Sequence, residues 1–81
     1  MPTIKVGAWR LVVIPGDHEP RHVHACYGTR NALQAVIILE ANGSVTLRKV
    51  DHGLSRSQVR VARALVAEHF EALAALWENF R

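Results

Sequence analysis

Three of the chain's five histidines lie within seven positions, in the segment GDHEPRHVHACYG at residues 16–28. His22 and His24 are two positions apart, so in a strand their side chains share one face, with Cβ atoms roughly 7 Å apart. Imidazoles at that spacing can flank one phosphate or converge on one metal ion. His18, in the turn before them, is the third member of the cluster. The segment predicts either a chemical site or a histidine-rich surface hairpin.

The acid/base interpretation assigns catalysis to His18, His22 and His24. Free histidine titrates near pH ~6.5, so one imidazole can take the proton of an RNA 2′-hydroxyl while another protonates the leaving oxygen. This chemistry needs no metal and no cofactor, and Asp17 can orient one of the rings. Arginines would stabilise the phosphate charge. Six are candidates for binding nucleic acid: Arg10, Arg21, Arg48, Arg56, Arg60 and Arg63.

A metal site and a purely structural hairpin are the alternatives. Cys26 continues the stripe of His22 and His24 and would complete a His/Cys set for zinc or copper. All of these ligands come from one hairpin, so we expect weak or no stoichiometric zinc. In the structural interpretation the histidines are surface groups of a hairpin whose turn is set by Asp17 and Pro20.

The hairpin belongs to a series of segments with strand character, separated by turn signals such as Asn42-Gly43. Strands are predicted at residues 9–15, 21–27, 33–40 and 44–50. Alternation places His22 and His24 on the face opposite Val23 and Ala25. Four aliphatic side chains are expected to lie uncovered on the histidine face: Val12, Ile14, Val36 and Ile38. Such a face predicts a homodimer or a partner protein.

The period changes to helical spacing after Ser55, which forms a predicted capping box with Gln58. The pattern slips near His69, which predicts one bent helix or two. The predicted fold is therefore α+β, a four-stranded antiparallel β-meander with the C-terminal helix, bent or split in two, packed on one face. It forms a single domain over residues 1–81, with the sheet in 4–50 and the helical part in 55–80.

Charge and composition limit the function classes. The 81 residues carry a formal net charge of +3 and one cysteine, which excludes an internal disulfide and predicts a cytoplasmic protein. We expect no membrane association, because no apolar run approaches the ~20 residues that a bilayer span needs. Arg56, Arg60 and Arg63 follow helical spacing near a helix start, where the macrodipole disfavours cations. Local stability does not explain this stripe; a binding site for phosphate or for an acidic partner is one interpretation, and an ordinary solvated helix face is the other.

Several motifs together resemble a family of small bacterial proteins of unknown function: the N-terminal MPTI, the hairpin DHEPRHVH, the pair Tyr27-Gly28, and a helix containing Leu73 to Trp77. Arg21 and Val23 replace a proline and an aromatic residue that are usual in that family. Its genes often lie beside a gene for another small protein, and it is commonly proposed to supply a component, usually the toxin, of toxin–antitoxin modules. The resemblance implies a small partner protein encoded nearby.

Three functional hypotheses follow. The first is a small metal-independent RNase-like toxin that uses the hairpin histidines, with RNA as its partner. The second is a non-enzymatic module that binds a protein or a nucleic acid. The third is a histidine-rich regulator that binds a metal ion.

Overall fold

The computed structural model describes residues 2–14, 20–28 and 32–80, and within them an antiparallel sheet followed by two helices. The strands are β1 (Thr3–Val6), β2 (Trp9–Val12), β3 (His22–Tyr27), β4 (Leu33–Leu39) and β5 (Val45–Val50); the helices are α1 (Arg56–Glu68) and α2 (Phe70–Phe80). The strand order in the sheet is β1-β2-β3-β4-β5, a meander. The α+β class is confirmed. His18 and Asp17 of the predicted site lie outside the described residues.

The prediction of four strands is wrong, because β1 adds a fifth. β1 pairs antiparallel with β2 in a register that joins Thr3 to Val12 and Val6 to Trp9. A tight turn connects the two strands, and Gly7 adopts a φ of 57° there, which glycine accepts without steric cost. A strand of only four residues gives a weak sequence signal even though its exposure alternates, and its pairing with β2 decides its conformation.

β5 contains an irregularity that the alternation pattern did not predict. Val36 of β4 lies opposite Lys49, whereas the next residue, Ile37, lies opposite Leu47, so Arg48 is an extra residue in a β-bulge. A bulge of this kind moves every later side chain by one position relative to its partner strand. Lys49, and not Arg48, therefore lies opposite Val36 on the histidine face.

The helical part divides at His69, as the slip in spacing predicts. The Ser55 hydroxyl accepts a hydrogen bond from the Gln58 amide at 3.1 Å, and the Ser55 amide donates to Gln58 Oε1 at 2.8 Å, which confirms the capping box. His69 is the C-cap residue of α1, and its Nδ1 donates to the Leu65 carbonyl at 3.0 Å. Within the described ranges, no helix has both the length and the apolar character to cross a bilayer.

The core lies between the two helices and one face of the sheet. Val23 and Ala25 are fully buried there, which confirms the predicted sidedness of β3. The helices cover them with four buried side chains: Ala62, Val66, Leu73 and Trp77. Trp9 packs on Tyr27 across β2 and β3, with ring centroids 5.0 Å apart. This packing fixes which side chains the opposite face and the sheet edges present.

Candidate functional site

The structure brings His22 and His24 together on one face of β3. Their ring centroids lie 5.3 Å apart in an edge-to-face arrangement. Their cross-strand neighbours on β4 are Ile38 and Val36. Two imidazoles at this separation could act on one small group, as the acid/base interpretation requires.

His22 is a packed side chain, only 6% exposed. Its Nδ1 lies 2.7 Å from the Pro20 carbonyl oxygen, and because that oxygen can only accept, Nδ1 carries the proton. The ring also contacts the Trp77 indole of α2, with centroids 5.4 Å apart. His22 thus links the start of β3 to the end of the helical layer, and little of it faces solvent.

His24 lies at a small surface pocket. Its ring is half-buried, and Nδ1 lies 3.0 Å from Oε1 of Gln34 on β4. The backbone amide of Gln34 donates a hydrogen bond to Asp51 Oδ2 at 2.8 Å. The pocket has a volume of about 210 Å³, and its walls are His24, Gln34, Val36, Lys49 and Asp51. Of the two described hairpin histidines, His24 is the one that a ligand in this pocket would touch.

Cys26 follows His22 and His24 on the same face of β3, and its side chain is half-buried. Sγ lies 3.8 Å from the His24 carbonyl oxygen. Burial raises the pKa of the Cys26 thiol; the Arg10 guanidinium opposes this shift and Asp51 adds to it. In the part of the chain that the structure describes, no three His, Cys, Asp or Glu side chains are grouped so that they could hold a metal ion.

The six predicted arginines do not form one surface. Arg10 lies opposite Cys26 on the histidine face, and its guanidinium donates to the Gly28 carbonyl at 3.2 Å. Arg21 donates to the Glu40 carbonyl at 3.2 Å and lies over the Phe70 ring, 5.7 Å from its centroid. Both are therefore engaged in holding elements together. Arg48 is exposed at the bulge. The remaining three form a group of their own: Arg56, Arg60 and Arg63.

These three arginines line a groove between α1 and β5, which we call the α1–β5 groove. Its volume is about 600 Å³. Its apolar lining consists of Val45, Leu47 and Val50 of β5, Leu54 before α1, and Val59, Ala64 and Ala67 of α1. The first turn of α1 contains no acidic residue to neutralise the arginines. The groove therefore combines an aliphatic floor with a cationic rim at one edge of the sheet.

The histidine face is less open than the sequence predicts. Val12 is buried, and Ile14, Val36 and Ile38 are half-buried, so the expectation of four uncovered aliphatic side chains there is wrong. On the histidine face, His24 lies between Val12 of β2 and Val36 of β4, directly opposite both in the strand register. Val61 is the one large hydrophobic side chain that is exposed among the described residues, at 45%.

The sequence predicted the stripe of Arg56, Arg60 and Arg63 but not the apolar lining of the groove beside it. The signal was present, because Leu54 and Val59 occupy the positions of a hydrophobic staple around Ser55. What the pattern could not show is that β5 lies beside this helix turn, with Val45 and Leu47 facing it.

Comparison with models of protein families identifies a family whose function is unknown. Residues 9–78 match the family model described as Domain of unknown function (DUF4160). Comparison with curated proteins finds no match, and neither does comparison with solved structures.

Proposed function

Because the chain belongs to the DUF4160 family, which has no assigned function, we propose its role from its surface: a protein-binding module that acts through an acidic partner. The α1–β5 groove is the contact. The resemblance to proteins of toxin–antitoxin modules suggests which partner to test, namely the small protein encoded beside this one.

The observation that carries the proposal is the combination of apolar floor and arginine rim in one groove. Val45, Leu47 and Val59 are half-buried in the free chain, so a partner that covers them gains hydrophobic free energy. Arg56, Arg60 and Arg63 surround the same floor and are exposed. Arginine is enriched at protein interfaces, where its guanidinium binds carboxylates in two-point contacts. An acidic, partly aliphatic segment matches both features.

The aliphatic floor favours a protein over a nucleic acid. Interfaces with nucleic acid are dominated by contacts to phosphate and are more polar than protein interfaces. Of the six arginines predicted to bind nucleic acid, Arg10 and Arg21 bond to backbone carbonyls elsewhere in the fold. A continuous phosphate track would need them beside the groove.

The test is calorimetric titration of the chain with the product of the neighbouring gene. Arg60→Gln should weaken binding up to about five-fold, since an exposed ion pair contributes up to ~1 kcal/mol. The matched control is Lys5→Gln, which removes an exposed cation from β1 at the opposite sheet edge and should leave the affinity unchanged. Equal effects of the two variants would contradict the proposal.

A second pair of variants tests the floor. Val59 lines the groove, whereas Val61, two residues later on the same helix, does not line it. Val59→Asn should weaken binding about ten-fold, from ~1.5 kcal/mol of lost apolar contact, and Val61→Asn should not. Thermal unfolding by circular dichroism checks that both variants remain folded. A larger loss from Val61→Asn would place the contact elsewhere on α1.

A second candidate function is metal-independent cleavage of RNA, and the 5.3 Å separation of the His22 and His24 rings favours it. His24, which lines a pocket beside Lys49, would be the acid or base. His24→Asn should then lower RNA cleavage by ~10²-fold, the usual contribution of one general acid or base. Full activity of this variant would exclude the histidine mechanism.

A further inference from the structure

We propose that the occupant of the α1–β5 groove is an extended acidic segment of the partner, which joins the sheet as a sixth strand along β5. This inference rests on the proposed function and adds the mode of binding to it. It depends on three features: the free edge of β5, the direction of its backbone groups, and the charge around it.

β5 is the last strand of the sheet, and β4 is its only strand neighbour in the described part of the chain. The edge of a sheet carries backbone donors and acceptors that can bind a further strand. α1 lies over one face of this edge and leaves the groove beside it. A segment that pairs with β5 would therefore place the side chains of one of its faces in the groove.

The hydrogen bonds to β4 show which residues of β5 direct their backbone groups outward. The Glu40 amide donates to the Ser44 carbonyl at 2.9 Å, so residues 40 and 44 form a hydrogen-bonded pair. Hydrogen-bonded and non-hydrogen-bonded pairs alternate along an antiparallel ladder. In this register Thr46 bonds to β4, whereas Val45 and Leu47 direct their amides and carbonyls toward the free edge.

Val45 and Leu47 also line the groove with their side chains. Partner residues opposite them in an antiparallel ladder would share that face. These residues would meet both the aliphatic floor and the rim of Arg56, Arg60 and Arg63. The segment is thus expected to alternate, with glutamate or an aliphatic residue at each groove-facing position.

A second copy of this chain does not match the same edge. Its β5 contains no acidic residue, so a second copy paired there would leave Arg56, Arg60 and Arg63 without a counter-charge. The bulge at Arg48 also interrupts the regular ladder after Leu47. Such bulges limit strand addition to a short stretch and prevent open-ended growth of the sheet.

The experiment uses a short fluorescein-labelled peptide in which threonine alternates with glutamate or leucine, titrated with the full chain and followed by fluorescence anisotropy. Two N-methylated versions have the same composition and differ only in which edge of the strand is blocked. Methylation at the glutamate and leucine amides, which would face β5, should weaken binding at least ~10-fold, because each methyl group removes a backbone hydrogen bond to β5. Methylation at the threonine amides should change the affinity less than about three-fold.

The outcomes separate the mode of binding from the proposed function. Equal affinity of the two methylated peptides, with binding that still falls on Arg60→Gln, overturns strand addition and leaves the groove as an acidic-protein site. No binding of the unmethylated peptide also overturns strand addition. Peptide binding that is unaffected by Arg60→Gln overturns both. Two results identify a different occupant and also overturn the proposal: self-association of the chain that the peptide does not disrupt, or preferential displacement of the peptide by an oligoribonucleotide.

Discussion

Replacing His22 by asparagine should destabilise the fold much more than the same change at His24. His22 is buried, donates from Nδ1 to the Pro20 carbonyl, and contacts the Trp77 indole. Asparagine is shorter and not aromatic, so it cannot occupy the same volume. His24 is half-buried, and its contact to Gln34 lies at the surface.

The magnitude follows from these contacts. Loss of the part-buried hydrogen bond to the Pro20 carbonyl costs about 1 kcal/mol, and loss of the ring packing against Trp77 costs about 1 kcal/mol more. The total of about 2 kcal/mol corresponds to a melting temperature lower by roughly 8–16 °C in a domain of this size. Both variants lose the contact between the two rings, so this loss does not distinguish them. His24→Asn additionally loses one exposed hydrogen bond, which should cost less than about 1 kcal/mol.

Urea denaturation and thermal unfolding of the two variants, at one fixed pH and in the absence of partner, measure this difference. Melting temperatures of the two variants within a few degrees of each other would refute the packing role assigned to His22. The comparison also guards functional assays: loss of RNA cleavage or of toxicity in His22→Asn is evidence for catalysis only if the variant is still folded at the assay temperature.

Three further predictions concern stability and reactivity. Ser55→Ala removes the acceptor for the Gln58 amide and should cost ~1 kcal/mol, measured by urea denaturation; an unchanged midpoint would mean that the cap contributes nothing. Gly43 has a φ of 91°, so Gly43→Ala should cost about 1–2 kcal/mol, and a neutral effect would contradict that backbone conformation. Burial raises the pKa of Cys26, so iodoacetamide should label the folded chain more slowly than the urea-unfolded chain. The folded state also keeps this proton longer, so stability should fall as pH rises above ~8.5 through the raised pKa, and Cys26→Ser should remove that part of the pH dependence.

Local features of the sequence predicted the elements that depend on local physics. The alternation of His22 and His24 with Val23 and Ala25 fixed the two faces of β3, because side chains alternate along any strand. The capping box at Ser55 needs only residues within one helical turn. The division of the helix at His69 followed from a change in apolar spacing, which a straight helix could not accommodate while burying both halves.

Features that depend on distant residues were not predictable in this way. The burial of His22 requires Trp77, which lies at the far end of the chain, and no local pattern connects them. β1 exists because its pairing with β2 stabilises a weak segment. The bulge at Arg48 placed Lys49, and not Arg48, opposite Val36, since alternation assumes a regular ladder. The apolar floor of the α1–β5 groove could be predicted only with the knowledge that β5 lies beside α1.

The strand order also determines how this chain reaches its fold. Every strand pairs with its neighbour in sequence, so each step closes a small loop at low entropic cost, and such local pairing favours fast folding. The helices follow the sheet in the chain. On a ribosome all five strands are therefore synthesised before residues 55–80, which take on the order of seconds to add at ~5–20 residues per second. Until the helices pack on it, a sheet formed from these strands exposes Val23, Ile37 and Leu11 as an apolar face that chaperones can bind.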